Sequence, residues 1–154
     1  MLVPEAWSKA TTDMPKKWQD MYAYCNSVME PWDGPAALAM TDGRWVCGGL
    51  DRNGLRPMRY VVTGDGLLIA GSEAGMVPVD EMNVREKGAL GPGQMIAVDM
   101  KDGKLYHDKE IKDRLANSQP FGEWVEKVID LNAIMRDMPE KALFHGGDLR
   151  KRQI

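Results

Sequence analysis

Cysteine is scarce in this sequence. Its 154 residues include only Cys25 and Cys47, which do not form the closely spaced pairs of disulfide-rich domains, redox centres or metal sites. We therefore expect no disulfide framework, no metal site and no iron–sulfur cluster in this chain, and a cytoplasmic location. Long apolar runs are missing as well, since no window approaches the roughly 18 consecutive apolar residues of a membrane helix. A membrane partner is accordingly not expected.

A large excess of positive or negative charge is also lacking. The chain carries 20 Lys and Arg residues against 23 Asp and Glu residues, a formal net charge of −3. This balance creates no strong field to attract nucleic acid or anionic lipid, so nucleic acid is not expected as a partner. The first residues contain no basic leader followed by an apolar run, so we expect no secretory signal. The length is that of one compact domain.

Apolar residues recur at helical spacing in several segments. From Pro15 they follow steps of three and four until Pro31, which ends the predicted helix. Asp108 is predicted to cap a second helix, from Lys109 to Ala116. The apolar stripe of the first helix comprises Trp18, Met21, Tyr22, Cys25, Val28 and Met29. A further helix is predicted from the stripe formed by Trp124, Val125, Val128, Ile129 and Leu131.

Three Asp-Gly pairs each lie between two short apolar runs, a pattern that predicts β-hairpins. The pairs begin at Asp42, Asp65 and Asp102. Because the runs are mostly apolar rather than alternating, we expect the sheets to be covered on both faces, or nearly so. The predicted fold class is therefore α+β, with antiparallel, hairpin-built sheets covered by helices.

A series of short segments resembles bacterial glutamate synthase, in the same order and at similar spacing. The segments are VPEAW at 3–7, MEPWDGP at 29–35, TDGR at 41–44, LDRNGLRP at 50–57, GSEAG at 71–75, and KG at 87–88 with GPGQM at 91–95. The similarity covers about residues 1–131 and is weaker at 149–154. It assigns residues 1–131 to the C-terminal part of a class II glutamine amidotransferase domain, and we interpret residues 132–154 as a connecting segment.

The resemblance implies the fold and reaction of that domain. The fold is an Ntn-type αββα sandwich, and the reaction releases ammonia from glutamine through a cysteine thioester. In the whole enzyme the ammonia aminates 2-oxoglutarate, with FMN, iron–sulfur clusters and an electron donor as cofactors, none of them expected in this chain. The expected partners are the N-terminal half of the amidotransferase domain and the rest of glutamate synthase.

Catalytic residues are not carried over by the resemblance. The family uses the first cysteine of the mature chain as nucleophile, with its own amino group as base. The oxyanion Asn-Gly pair and the residues that bind glutamine also belong to segments upstream of the matching ones. We therefore expect this chain to supply scaffold and to be inactive by itself.

Four residues remain as candidates for a pocket or a binding loop: Trp32, Arg52, Asn53 and Arg56. Asn53-Gly54 has the composition of an oxyanion pair, but its context favours a rigid turn held by Arg56 or Arg52. Direct contact of these residues with substrate is the alternative. Trp32, in a proline-bounded turn, either pins the first helix to the sheet or lines a pocket.

Two other functions fit the sequence less well. A stand-alone binding or interaction module would have kept this sheet without the catalytic half, and its uncovered apolar surface would favour self-association. A separate cysteine hydrolase would use Cys25 or Cys47 with His107. Both cysteines lie in apolar segments, where free cysteine is usually a small buried hydrophobe, so we interpret them as structural.

Overall fold

The computed structural model describes Val3, residues 14–129 and residues 131–135, and this part of the chain is α+β. Its helices are α1 (Lys16–Val28), α2 (Asp108–Ala116), α3 (Phe121–Val125) and α4 (Leu131–Met135). Its strands are β1 (Ala37–Thr41), β2 (Trp45–Leu50), β3 (Arg59–Thr63), β4 (Leu68–Gly71), β5 (Val84–Ala89), β6 (Met95–Asp99) and β7 (Lys104–His107). Among the described helices, none has the length and apolar character needed to cross a membrane.

The three predicted hairpins are confirmed. β1 pairs with β2, β3 with β4, and β6 with β7, each time antiparallel. The turn glycines have positive φ angles: 90° at Gly43, 91° at Gly66 and 60° at Gly103. Glycine adopts such angles at little cost, which is why a local Asp-Gly signal was enough to predict these turns.

The hairpins assemble into two antiparallel sheets. The larger sheet has the order β1-β2-β6-β7, and the smaller has the order β4-β3-β5. In the larger sheet Cys47 lies opposite Ala97, and Ala97 lies opposite Tyr106. Because side chains alternate between faces, Cys47 and Tyr106 share one face while His107 belongs to the other.

The helices cover the first of these faces. α2 packs on β6 and β7, and α1 packs on α2 and α3. A small core forms between the helices from Met21, Cys25 and Ala116, with Trp18 and Phe121 against it. The smaller sheet approaches the second face, where side chains of both sheets line one cavity. The order of helices, sheet and sheet agrees with three layers of an αββα sandwich.

The first predicted helix is confirmed, but two helix predictions need correction. α2 begins at Asp108, not after it, and the carboxylate of Asp108 accepts a hydrogen bond from the Met95 N–H at 3.0 Å. The cap comes from Glu110, whose Oε2 accepts from the His107 N–H at 3.1 Å. Asp108 was a good candidate by residue type, yet its carboxylate is used by the neighbouring strand.

The long helix predicted through Trp124 and Leu131 is wrong, because α3 ends at Val125. Trp124 packs on Tyr24 with ring centroids 4.8 Å apart, whereas Ile129 is 74% exposed. The apolar residues after Val125 therefore continue the pattern in the sequence, but among the described residues they have no surface to pack against. The β-branched residues in this stretch also have a lower intrinsic propensity for helix than unbranched residues such as Leu.

Coverage of both sheet faces is reached only in part. In β1, Ala37, Ala39 and Thr41 are exposed on the face opposite the helices, and Met40 is exposed on the helix side. The three-stranded sheet lies over the β6–β7 side and leaves β1 uncovered in the described part of the chain. The domain boundary at residue 131 stays a prediction, because the connecting segment lies outside the described residues after Met135.

Candidate functional site

Asp51 organises the loop that follows β2, and only 2% of its surface is exposed. Its carboxylate accepts hydrogen bonds from the backbone N–H groups of Ala36 at 2.9 Å, Asn53 at 2.7 Å and Gly54 at 3.1 Å. Its carbonyl oxygen accepts from the Gly93 N–H at 2.8 Å. The Ala36 N–H, followed by the other two amides, lowers the pKa of Asp51. One buried residue thus joins three loops, two through its carboxylate and the third through its backbone carbonyl.

Gly54 makes the close approach of two of these loops possible. Its φ is +61°, and a Cβ at this position would lie 2.8 Å from the Cα of Pro92. A side chain here would therefore meet backbone, which has little freedom to move. Asn53-Gly54 lies in a turn bonded to Asp51; its exclusion as an oxyanion pair stays a prediction.

The four candidate residues lie on the loops that Asp51 holds. The Nη2 atom of Arg52 is 3.5 Å from Oδ1 of Asp33, which links its loop to the segment that contains Trp32. Arg56 is exposed, and Trp32 keeps 49% of its surface exposed. Pinning of α1 by Trp32, lining of a pocket, and direct substrate contact by any of the four all stay predictions.

Asp51 is an anchor of the turn that the sequence reading did not name. It holds residues 53 and 54, because an acceptor with two oxygens inside the turn can satisfy several backbone donors at once. A contribution of Arg52 or Arg56 to the turn stays a prediction. The sequence did contain a signal for this role. An Asp two and three positions before Asn-Gly is the pattern of an Asx-type turn.

A second buried carboxylate, Asp99, locks the first hairpin to the third. It is fully buried, and the Nε and Nη2 atoms of Arg44 donate to its two oxygens at 2.9 and 2.6 Å. The hydrogen bonds from Arg44 lower the pKa of Asp99, with a smaller contribution from the Lys101 N–H. The paired Asp99 raises the pKa of Arg44 in turn. A fork-shaped pair of this kind fixes orientation as well as distance.

A polar cluster joins the two sheets. The Tyr60 hydroxyl donates to Oε1 of Glu86 at 2.8 Å, and Nε2 of His107 lies 3.4 Å from the same oxygen. Tyr60 and Glu86 belong to the smaller sheet, and His107 ends β7 of the larger one. Burial, then Glu86, raises the pKa of Tyr60. A Cβ on Gly88 would lie 2.4 Å from the Tyr60 ring, so a larger residue at position 88 would clash with the ring.

Neither cysteine has the surroundings of a nucleophile. Cys25 is buried in the helical core. Burial raises the pKa of Cys47, and Asp42 adds to the effect, whereas reactive thiols need a lowered pKa. Cys47 and His107 lie on opposite faces of the same sheet, and His107 pairs with Glu86. The cysteine-hydrolase hypothesis therefore has no geometric support in the described residues.

Comparisons with known proteins agree on one group. The family profile of the class-II glutamine amidotransferases matches residues 1–124. The large chain of NADPH glutamate synthase from Azospirillum brasilense is 56% identical over 156 aligned residues, which cover 99% of this chain and 10% of the relative. Ferredoxin-dependent glutamate synthase 2 of Synechocystis is 45% identical over 148 residues, with 94% and 9% covered.

NADH glutamate synthase of Saccharomyces cerevisiae is 44% identical over 135 residues, with 88% of this chain and 6% of the relative covered. The chain thus spans at most about a tenth of the length of these relatives. The relatives differ in the electron donor that their names state, so similarity in this region does not distinguish donors. The match over most of its length shows that the chain belongs to the class-II glutamine amidotransferase family.

Proposed function

We propose that these residues form scaffold of the glutamine-hydrolysing domain of a glutamate synthase large subunit. In that role the domain converts glutamine to glutamate and ammonia, and the ammonia passes on to the amination of 2-oxoglutarate. Their partners are then the N-terminal half of the amidotransferase domain and the rest of the glutamate synthase. The observation that carries the proposal is the family match over residues 1–124, together with relatives that are all named glutamate synthases.

The geometry supports a scaffold role rather than a catalytic one. Among the segments that carry the resemblance, those at 50–57 and 91–95 are held together by Asp51, and the turn at 41–44 is held by Asp99. Both carboxylates accept several hydrogen bonds in these contacts. Cys25 and Cys47 lack activating surroundings. We therefore assign the nucleophile, the oxyanion hole and glutamine recognition to another part of the domain. The free cysteines fit a reducing cytoplasm.

The cofactors of the whole enzyme do not fit the residues described here. An iron–sulfur cluster needs a set of cysteine ligands, and the sequence has only two cysteines, one of them in a helical core. Within the described residues, no group of three or more His, Cys, Asp or Glu side chains is arranged to hold a metal ion. No strand in this part leads into a glycine-rich phosphate loop at a helix start. We place FMN, the clusters and the electron-donor site elsewhere in the protein.

A chimeric enzyme tests the proposal. The 154 residues replace the matching segment of the Azospirillum brasilense large chain, and glutamate formation is measured with glutamine and with ammonia as nitrogen donor. We expect glutamine-dependent activity to survive, because a scaffold that is 56% identical should hold the same catalytic groups. A chimera that uses ammonia but not glutamine would contradict the proposal.

The isolated chain supplies the matching control. It should release no ammonia from glutamine, and the double variant Cys25→Ala, Cys47→Ala should behave identically. Ammonia release that persists in the double variant would place catalysis on residues of this chain other than its thiols. Release that the double variant abolishes would restore the cysteine-hydrolase hypothesis.

A stand-alone interaction module is the second candidate, and the exposed β1 edge favours it. β1 is an outer strand of five uncharged residues without proline, whereas proteins usually protect such edges with charge, proline or a covering segment. Self-association through this edge should then disappear in Ala39→Lys. Light scattering of the isolated chain tests this hypothesis. A chain that is monomeric at every concentration would contradict the interaction-module hypothesis, and so would an oligomer that persists in Ala39→Lys.

A further inference from the structure

The smaller sheet contains an irregularity at Arg85. Val62 lies opposite Glu86, but the next residue of β3, Thr63, lies opposite Val84. Arg85 is therefore the extra residue of a β-bulge. In a regular strand Arg85 and Glu86 would point to opposite faces, yet both line the cavity between the sheets. Bulges are frequent beside binding sites.

The cavity has the size of a small-molecule site and a mixed polar and apolar lining. Its volume is about 460 Å³, within the range of about 300–1,000 Å³ that is usual for ligand pockets. Aliphatic side chains from both sheets form part of the wall, and charged residues line it as well. The aliphatic residues are Val62, Leu68, Val98 and Leu105, and the charged ones include Arg85, Glu86, Lys104 and His107.

Arg85 is the cation of this wall that has no partner among the described residues. His107 pairs with Glu86 at 3.4 Å. Lys104 lies 3.8 Å from Glu110 and 4.3 Å from the centre of the Tyr106 ring. The exposed Arg85 side chain forms no such contact in the described part of the chain. A guanidinium in this situation offers two parallel N–H donors, the geometry that a carboxylate matches.

We propose that the cavity between the two sheets binds a small amphipathic monocarboxylate, with the carboxylate on Arg85 and the apolar body against the aliphatic wall. An anion is favoured over a cation because Glu86, the one carboxylate that the described residues contribute to the wall, already accepts from Tyr60 and faces His107. A purely inorganic anion would leave the aliphatic wall uncovered. This binding site is independent of the scaffold function, since it uses none of the loops around Asp51.

Hexanoate is a suitable probe, and hexan-1-ol has the same chain without the charge. The ¹⁵N-labelled protein is titrated with each, and amide shifts are followed by NMR. We expect saturable shifts with hexanoate at Val98, Leu105 and the Arg85 side chain, and at least tenfold weaker binding of hexan-1-ol, because a charge-assisted fork is lost. Acetate should bind more weakly than hexanoate, since it covers little of the wall.

Two arginine variants test the assignment of the carboxylate site. Arg85→Gln should raise the dissociation constant for hexanoate about tenfold or more. Arg59→Gln is the matched control, because Arg59 is an exposed strand arginine that lines a different cavity on the other face of the same sheet. Glu86→Gln should tighten binding, since it removes a negative charge from the wall while keeping an acceptor for Tyr60.

Four results would overturn the proposal: no saturable shift, equal binding of hexan-1-ol, shifts centred outside the cavity, or equal weakening by Arg85→Gln and Arg59→Gln. The unfolding temperature of the chimeric enzyme gives a second measurement if the isolated chain has a poorly dispersed spectrum. There hexanoate should stabilise the Arg59→Gln protein and leave Arg85→Gln unchanged. Glutamine-dependent activity of the chimera judges the scaffold function separately, so the two proposals fail independently.

Discussion

The loop cluster around Asp51 and the cavity beside Glu86 use a carboxylate in opposite ways. Asp51 is buried and accepts from three backbone amides. The Glu86 side chain is 38% exposed, and its partners among the described residues are the side chains of Tyr60 and His107. Backbone donors fix the course of the chain, whereas side-chain donors join two sheets and leave space between them. The first region is therefore built to hold a shape, and the second is built so that something else can enter.

The largest expected effect comes from removing the carboxylate of Asp51, which tests the loop cluster without altering the cavity. Asp51→Ala leaves the N–H groups of Ala36 and Asn53 without their acceptor in a buried loop, while the Gly54 N–H keeps the carbonyl oxygen of residue 51. We therefore expect a loss of about 3 kcal/mol in the free energy of unfolding. Urea unfolding followed by tryptophan fluorescence measures it. Asp33→Asn, at a side chain that is 91% exposed, should change stability by less than about 0.5 kcal/mol. Similar losses in both variants would remove Asp51 from its role as anchor.

A second variant tests the close approach of the Asp51 loops without touching the carboxylate. Gly54→Ala introduces both a positive-φ side chain and a clash with Pro92, and it should cost about 2–4 kcal/mol. Gly103→Ala is the matched control, because Gly103 has almost the same φ of +60° but open space around it. It should cost only about 1 kcal/mol. Equal losses in urea unfolding would mean that backbone angle, and not the approach to Pro92, requires glycine at position 54.

The same contrast explains what the sequence could predict. Three hairpins and α1 follow from signals within a few residues, Asp-Gly turns and the periodic stripe before Pro31, and all four are confirmed. The contact of Asp51 with the Ala36 amide and that of Asp99 with Arg44 depend on groups brought near by folding, whereas the bonds of Asp51 to residues 53 and 54 are local. The bulge at Arg85 arises from the pairing of β5 with β3, and no local sequence pattern around Arg85 predicts this shift of register. Local turn chemistry was therefore predictable, and contacts between loops or sheets were not.

The pH dependence of stability should follow the two buried aspartates. Amides lower the pKa of Asp51, and Arg44 lowers that of Asp99. A depressed folded-state pKa stabilises the protein above the unfolded pKa, about 3.9, and this stability is lost as the pH falls through the folded-state pKa. Unfolding should therefore become easier below about pH 4. The midpoint of urea unfolding, measured from neutral to acidic pH, should fall less steeply below about pH 4 in Asp99→Asn than in the unmodified protein. An equally steep fall in both proteins would contradict this role of Asp99.

The smallest expected effect concerns the polar contact between the sheets. Tyr60→Phe removes a single partly buried hydrogen bond to Glu86, which should cost about 1 kcal/mol. His107→Gln removes a half-exposed contact with Glu86, which should cost less than about 1 kcal/mol. A double-mutant cycle of Tyr60→Phe with Glu86→Gln, measured by urea unfolding, gives the coupling energy directly. A coupling as large as the Asp51→Ala loss would mean that this cluster fixes the sheets rigidly, and the cavity beside it would then have little freedom to adapt to a ligand.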